Sequence, residues 1–401
     1  MDHTEHRHLS SDSHDDEALG VASADPLLPA QQPMAGPGEE PGTEAFLPHI
    51  RPKMSAVVFA IAIAIFGFVV TAALIHLFIR HPFYLHADTR SEKLVLLDSW
   101  KGKAYSASFG SSHVHNGFDP RIFDSELNGT PLQTQSINLA VAGGSQVEQR
   151  LMALEFLHDL QPPTRIVGAV PQSCMVLLEL SAGANMGTDH MVHPRTINIY
   201  DMASVRFIHS LTMSSMPRKQ RWGRIGFAFA AAAEHYMNVG MLSASIFNMP
   251  IDEDAYREDT IDDRRGVLAL PAETSRMSAI FDRESRRGLS STAELLPGNY
   301  GLVDELMHAT SVAGVHFVYL VMPSVGDLDH YEIYPDTIVV DGQSVPVIDL
   351  ARPDLYPELY QAKYWHDDAH LNEQGAGLIM KVTADRLKIF YAHHPLTACG
   401  G

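Results

Sequence analysis

Apolar and polar residues are arranged in blocks along this chain, and the blocks predict a membrane helix followed by a globular domain. The longest apolar block, MSAVVFAIAIAIFGFVVTAALIHLFI, covers residues 54–79. It exceeds the roughly 20 residues that span a bilayer as a helix. A secretory signal would be shorter and would lie at the very N-terminus. We therefore expect one transmembrane anchor, held in the lipid bilayer through residues 54–79.

Residues 1–53 are rich in His, Asp, Glu, Ser, Pro and Gly and contain almost no aromatic residues. Such a segment cannot bury enough apolar surface to offset the entropy lost on ordering, which predicts a disordered polar tail. The histidines do not follow a recognised Cys/His ligand spacing, so we expect no metal site, and nothing in the chain suggests an organic cofactor.

Residues 91–391 show the pattern of a globular α/β domain. Predicted strands cover 103–109, 134–142, 175–182, 315–324 and 346–350, and predicted helices cover 146–160, 302–314 and 371–391. Alternating strands and helices predict a parallel sheet with helices on both faces. The alternation lapses at about 187–296, which we interpret as a mostly helical insertion.

The charge of the chain excludes one class of partner. The formal net charge is −19, from 48 acidic and 29 basic residues, whereas a nucleic-acid binder needs a basic face to neutralise phosphates. We expect no nucleic-acid partner. The spacing of the two cysteines, Cys174 and Cys399, leaves open whether they pair.

Candidate chemistry lies at the predicted strand ends, where functional groups collect in open parallel sheets. The first predicted strand ends in a loop that contains Ser112, and WHDDAH precedes the last helix. A serine nucleophile needs a base within hydrogen-bond reach and a third group that orients the base. Asp367 and His370, three residues apart, supply both. A second Asp-x-x-His pair, Asp327 and His330, follows a strand directly and is the less favoured candidate.

These segments resemble the SGNH (GDSL-type) hydrolase superfamily, most closely its membrane-anchored bacterial envelope members, the alginate O-acetyltransferase-like and D-alanine-transfer proteins. The resemblance covers roughly residues 103–185 and 300–391. It implies that Ser112 is the nucleophile, that His370 is the base and that Asp367 orients the base. Ser111 stands where the superfamily usually has aspartate.

The resemblance also implies an oxyanion hole. NLAVAG, residues 138–143, matches the second motif and makes Gly143 a backbone donor beside the N–H of Ser112. GANM retains the Gly-x-Asn of the third motif, which makes Asn185 the side-chain donor, although Met186 replaces the usual aspartate.

The resemblance implies a flavodoxin-like three-layer αβα sandwich that acts on an acylated carbohydrate or another acyl ester. The implied location is the inner (plasma) membrane, with the C-terminal domain on the periplasmic side and other envelope proteins as candidate partners. The second acceptor is either water, giving an esterase, or a sugar hydroxyl, giving an O-acyltransferase. Two alternatives remain: an inactive scaffold of a polysaccharide export or modification complex, and a lipid esterase or thioesterase with an acyl groove formed by residues 225–247.

We interpret His113 and His115 as polar loop residues.

Overall fold

The computed structural model of the chain describes residues 54–78, 88–160, 172–180, 199–215, 217–237, 264–284, 289–292, 303–340, 342–394 and 399. The predicted tail, residues 1–53, lies outside these ranges. Within them the helices are α1 Met54–Phe78, α2 Asp88–Ser99, α3 Ser112–Gly117, α4 Pro120–Leu127, α5 Gln146–Asp159, α6 Met202–Ser215, α7 Arg218–Tyr236, α8 Thr274–Glu284, α9 Val303–Ala313 and α10 Glu373–His393.

The described strands form two sheets. They are β1 Ser106–Phe109, β2 Ser136–Asn138, β3 Met175–Glu179, β4 Leu289–Thr292, β5 His316–Val321, β6 His330–Ile333, β7 Thr337–Val340 and β8 Gln343–Asp349. The larger sheet has the order β2-β1-β3-β5-β8-β7, and β4 pairs with β6 in a small parallel sheet. The prediction of an α/β fold is confirmed.

The larger sheet is mixed, and here the prediction of a parallel sheet was wrong at one edge. Its first five strands are parallel, but β7 pairs antiparallel with β8. Only two residues separate β7 from β8. A link of two residues can form a hairpin, whereas a parallel pair needs a crossover of about a dozen residues or more. The short link therefore fixes the direction of β7.

The central strands are apolar on both faces. Along β5, Phe317, Tyr319 and Val321 join one hydrophobic cluster, whereas Val318 and Leu320 join another. Helices α5 and α9 contribute to the first cluster, and helices α4 and α10 contribute to the second. Because alternate residues of a strand point to opposite faces, this explains why the predicted strands read as continuous apolar runs.

The chain changes its direction of travel across the sheet next to β1. From β1 it moves outward to β2, and it then returns to β3 on the other side of β1. In open α/β sheets, a crevice forms at the carboxyl ends of the strands where the direction reverses. Ser112 follows β1, and Glu179 is the last residue of β3. Both residues therefore lie at this crevice.

Cys174 and Cys399 form a disulfide, which settles the pairing that their spacing left open. Their Cα atoms are 5.4 Å apart although 225 residues separate them in sequence. Cys174 directly precedes β3 and is buried. The bond therefore ties the C-terminal end of the chain to the centre of the sheet.

Helix α1 is long and apolar enough to cross a membrane. Its 25 residues correspond to about 37 Å of helix at about 1.5 Å per residue, against a hydrocarbon core of about 30 Å. It ends at Phe78, one residue short of the predicted span. The next described element is α2, which begins at Asp88.

Candidate active site

Ser112 is the first residue of α3, a short helix that two residues separate from β1. Ser111 precedes it in an extended conformation and caps the helix, accepting a hydrogen bond from the His113 N–H through its side chain. The prediction treated this segment as a loop. A helix start fits the sequence because serine is a favoured N-cap residue. The turn holds the Ser112 side chain at the end of the strand, partly exposed to solvent.

The His370 loop, residues 365–371, brings the second group to the site. Trp365 and Leu371 form an isolated antiparallel bridge at its two ends. Trp365 is fully buried, and its indole N–H donates to the carbonyl of Leu359 over 2.8 Å. Asn372 caps α10 by accepting from the N–H groups of Gln374 and Gly375. Its amide also donates to the Lys363 carbonyl over 2.8 Å, so the loop is anchored at both ends.

The structure brings Ser112, His370 and Asp367 together. The Oγ of Ser112 lies 2.8 Å from Nε2 of His370. The other ring nitrogen, Nδ1, lies 2.9 Å from each carboxylate oxygen of Asp367. Serine and histidine are 258 residues apart in sequence. An arrangement of this kind can activate a serine, because the imidazole accepts the hydroxyl proton while the carboxylate fixes its tautomer.

The pKa of Asp367 lies below its usual range. Burial acts to raise this pKa, but hydrogen bonds from the His370 ring and from the N–H groups of Ala369 and His370 outweigh it. The backbone donors lie 2.9 Å and 2.7 Å from Oδ1. The side chains of Asp367 and His370 are 24% and 23% exposed, so both can be reached from solvent.

Gly143 lies in the turn after β2, with a φ of 63° that favours glycine. One hydrogen bond joins this turn to the segment before Ser112, since the Val141 N–H donates to the Gly110 carbonyl over 3.0 Å. Within the turn, the Gly144 N–H donates to the Val141 carbonyl over 2.7 Å. The turn with Gly143 is thus fixed beside the serine.

Asn138, the first residue of the second motif, has a structural part in the described site. Its side-chain amide donates to the carbonyls of Val114 and Phe118, each over 2.8 Å. Its side-chain oxygen accepts from the N–H of Ala140 over 3.0 Å. Asn138 therefore joins the end of β2 to the C-terminal end of α3, the helix that carries Ser112.

Two candidates from the sequence remain: Asn185 as an oxyanion donor, and Asp327 with His330 as the second Asp-x-x-His pair. Asn185 lies outside the described residues. The carboxylate of Asp327 accepts from the Ser324 N–H over 2.7 Å and from the Tyr360 hydroxyl over 2.8 Å. His330 begins strand β6. The Asp327 side chain is thus engaged in holding the loop after β5.

Glu179 was missed by the sequence reasoning. The Ser111 N–H donates to its Oε2, and the Ser111 hydroxyl donates to its Oε1 over 3.0 Å. Its Oε1 is also 3.6 Å from Nδ1 of His113. A signal was present, because an acidic residue ends the otherwise apolar strand run MVLLE. Charged residues are rarely buried without a partner.

The two histidines that flank Ser112 differ in their environments. Burial lowers the pKa of His115 to about 2, assisted by the charge of Lys93. His113 is more exposed, and its ring lies 5.5 Å from that of His370, centroid to centroid. Among the described residues, no group of three or more His, Cys, Asp or Glu side chains is placed to hold a metal ion.

No protein-family model matches this chain, and no curated protein matches it either.

Proposed function

We propose that this protein is a membrane-anchored serine acyl-ester hydrolase or O-acyltransferase that works through an acyl-enzyme intermediate. One observation carries the proposal: Ser112 Oγ, His370 and Asp367 form a continuous hydrogen-bonded chain with separations of 2.8 and 2.9 Å. A histidine that bridges a serine hydroxyl and an aspartate carboxylate activates the hydroxyl on many unrelated folds.

In the proposed first step, Ser112 Oγ attacks the carbonyl carbon of an ester while Nε2 of His370 takes its proton. The carbonyl oxygen becomes an oxyanion, which the N–H groups of Ser112 and Gly143 and the amide of Asn185 stabilise. The bond to the leaving alcohol then breaks, and His370 returns the proton to that alcohol. Asp367 holds Nδ1 protonated throughout and stabilises the imidazolium.

In the second step, an acceptor hydroxyl attacks the acyl group on Ser112. His370 takes the acceptor's proton and then returns it to Ser112 Oγ when the serine leaves. Water as acceptor gives an ester hydrolase, and a sugar hydroxyl gives an O-acyltransferase. The same groups serve both reactions. By resemblance, the proposed substrate is an acylated envelope glycan.

The finer features of the fold belong to the same proposal. We interpret the domain as a flavodoxin-like three-layer αβα sandwich of the SGNH type, with residues 187–296 inserted into it. Two observations support this interpretation: hydrophobic clusters on both faces of the sheet and the strand order around β1.

We further propose that the globular domain lies on the periplasmic side of the inner membrane. The disulfide between Cys174 and Cys399 supports this location, because disulfides persist in oxidising compartments and are rare in the cytosol. A cysteine placed in the tail by Ser11→Cys tests the orientation, using an impermeant thiol reagent on intact cells. The proposal expects no labelling until the cells are opened, and labelling of intact cells would contradict it.

The activity is tested with the full chain in detergent and a small acetyl ester as substrate. We expect turnover by the wild type, loss of turnover in Ser112→Ala, and full turnover in Ser125→Ala. Ser125 is a matched control because it lies exposed on α4, and its hydroxyl donates to the carbonyl of Ile122 in the same helix. Turnover that survives in Ser112→Ala would refute the proposal.

The rival proposal is an inactive scaffold of a polysaccharide export or modification complex. Ser111, at the position where the superfamily usually has aspartate, favours this view. The hydrogen-bonded Ser112, His370 and Asp367 oppose it, because a binding protein has no need to keep a serine against a carboxylate-paired imidazole. A folded wild-type protein that neither turns over acetyl esters nor reacts with a serine-directed probe would favour the scaffold.

A further inference from the structure

Glu179 places a carboxylate against the Ser112 segment, which we define as residues 110–113. The side chain is 6% exposed, at the end of β3. One oxygen accepts from the Ser111 N–H, and the other accepts from the Ser111 hydroxyl over 3.0 Å. The second oxygen also lies 3.6 Å from Nδ1 of His113. One buried carboxylate therefore contacts the residues on both sides of Ser112.

Gly110 is what allows this approach. A Cβ atom at position 110 would lie 2.6 Å from Oε2 of Glu179 and 2.6 Å from Cβ of Val114. Any side chain at this position would displace either the carboxylate or α3. The glycine that follows β1 and the glutamate that ends β3 are thus parts of one arrangement.

His113 faces three carboxylates and one further histidine. Glu179 lies on β3, Asp327 lies after β5, and Asp367 lies in the His370 loop. The His370 ring is 5.5 Å away. Burial acts to lower the pKa of His113, but the hydrogen bond and charge of Glu179 and the charges of Asp327 and Asp367 raise it above its usual value. His113 therefore holds its proton more strongly than a free histidine does.

The position of Glu179 poses an electrostatic problem for the proposed reaction. Its carboxylate binds the Ser111 N–H, one peptide unit before the Ser112 N–H that would stabilise the oxyanion. An uncompensated negative charge there opposes the growth of negative charge on the substrate. A protonated His113, with Nδ1 at 3.6 Å from the same carboxylate, opposes that repulsion.

We propose that Glu179 is a positioning residue that fixes the Ser112 segment, and that protonated His113 is the counter-charge that makes this carboxylate compatible with oxyanion formation. The inference rests on the proposed function, since it concerns the acyl-transfer step at Ser112. It assigns to His113 a role in the site that is distinct from the general base.

The test measures how fast a fluorophosphonate labels Ser112 in the full chain, from acidic to alkaline pH. In this reaction Ser112 Oγ forms a bond to phosphorus, fluoride leaves, and His370 takes the serine proton. We expect the wild-type rate to fall on the alkaline side as His113 loses its proton. The fall should be absent in His113→Gln, and the rate at the wild-type optimum should drop on the order of 10- to 100-fold.

Glu179→Gln provides a second variant that keeps the shape of the side chain. Without its charge partner, His113 loses its proton more readily, so the alkaline fall should move to lower pH. His115→Gln is the matched control, because His115 also lies on α3 but is buried and has a pKa of about 2. It titrates outside the tested range, so the shape of the profile should not change.

The outcomes separate this inference from the proposed function. Two results with a labelled wild type would overturn the inference. In the first, His113→Gln keeps the alkaline fall in labelling rate. In the second, His113→Gln and Glu179→Gln slow labelling equally at every pH, which would mean that the two residues have only a structural role. If wild type is never labelled at any pH, the proposed function fails and this inference fails with it.

Discussion

Replacing Asp367 with asparagine would change the proton on His370 while leaving the His370 loop almost unaltered. Oδ1 of Asp367 accepts from the N–H groups of Ala369 and His370 over 2.9 and 2.7 Å. The asparagine oxygen should take this place, because both N–H groups need an acceptor. Its amide NH₂ would then face Nδ1 of His370, where the second carboxylate oxygen now lies 2.9 Å away.

An amide that donates to Nδ1 forces the neutral imidazole to carry its proton on Nε2. That nitrogen lies 2.8 Å from Ser112 Oγ, and once protonated it cannot accept the serine proton. A change of this kind lowers turnover by about 10³- to 10⁴-fold. The loss corresponds to about 4–5.5 kcal/mol of transition-state stabilisation, at about 1.36 kcal/mol per tenfold change in rate.

The assay compares turnover of a small acetyl ester by Asp367→Asn and by Asp368→Asn. Asp368 is a matched control, since it is the exposed neighbour in the same loop and the substitution removes the same charge. Asp368→Asn should keep wild-type turnover. Asp367→Asn with more than a tenth of wild-type turnover would show that the carboxylate does not set the tautomer, and would refute the reasoning.

Three further predictions concern stability. Reducing the disulfide should lower the free energy of unfolding by about 2–4 kcal/mol, and a Cys399→Ser variant should show no sensitivity to reductant in the same denaturant titration. Gly110→Ala should lower the free energy of unfolding by about 1–3 kcal/mol, because the new methyl group overlaps Glu179. Gly223→Ala, in open space on α7, should instead raise it by about 0.5–1 kcal/mol. Equal melting temperatures for the two variants would contradict this prediction. Because the folded-state pKa of Asp367 is depressed, its contribution to stability is present above its unfolded pKa and disappears as pH falls through the folded value. Asp367→Asn should therefore lose less stability on acidification than wild type, and equal losses would be inconsistent with the lowered pKa.

The α/β fold could be predicted because its main signals are local. Buried parallel strands read as short continuous apolar runs, as at Met175–Glu179 and His316–Val321. The capping pattern that starts α5 is also local, because Ser145 and Glu148 form a capping box. Strand β7, Thr337–Val340, was not predicted at all, and its antiparallel direction depends on the two-residue link to β8 rather than on the composition of the strand.

Candidate residues for the site could be chosen because Asp367 and His370 precede a helix start and Ser112 follows a strand end. Glu179 could not be assigned from its sequence position alone. Its relation to Ser111 depends on β3 pairing beside β1, where Phe109 and Leu178 are partners. The disulfide is similar, because only the folded chain brings two cysteines 225 residues apart into contact.

The most direct test of the account is to identify which residue carries the adduct after the full chain reacts with a fluorophosphonate. The labelled protein is digested, and the modified peptide is sequenced by mass spectrometry. The account predicts one adduct, on Ser112, which is absent when His370 is replaced by alanine. An adduct on Ser111 or on a serine outside the crevice would contradict the assignment of Ser112 as the nucleophile, as would a folded protein that remains unmodified.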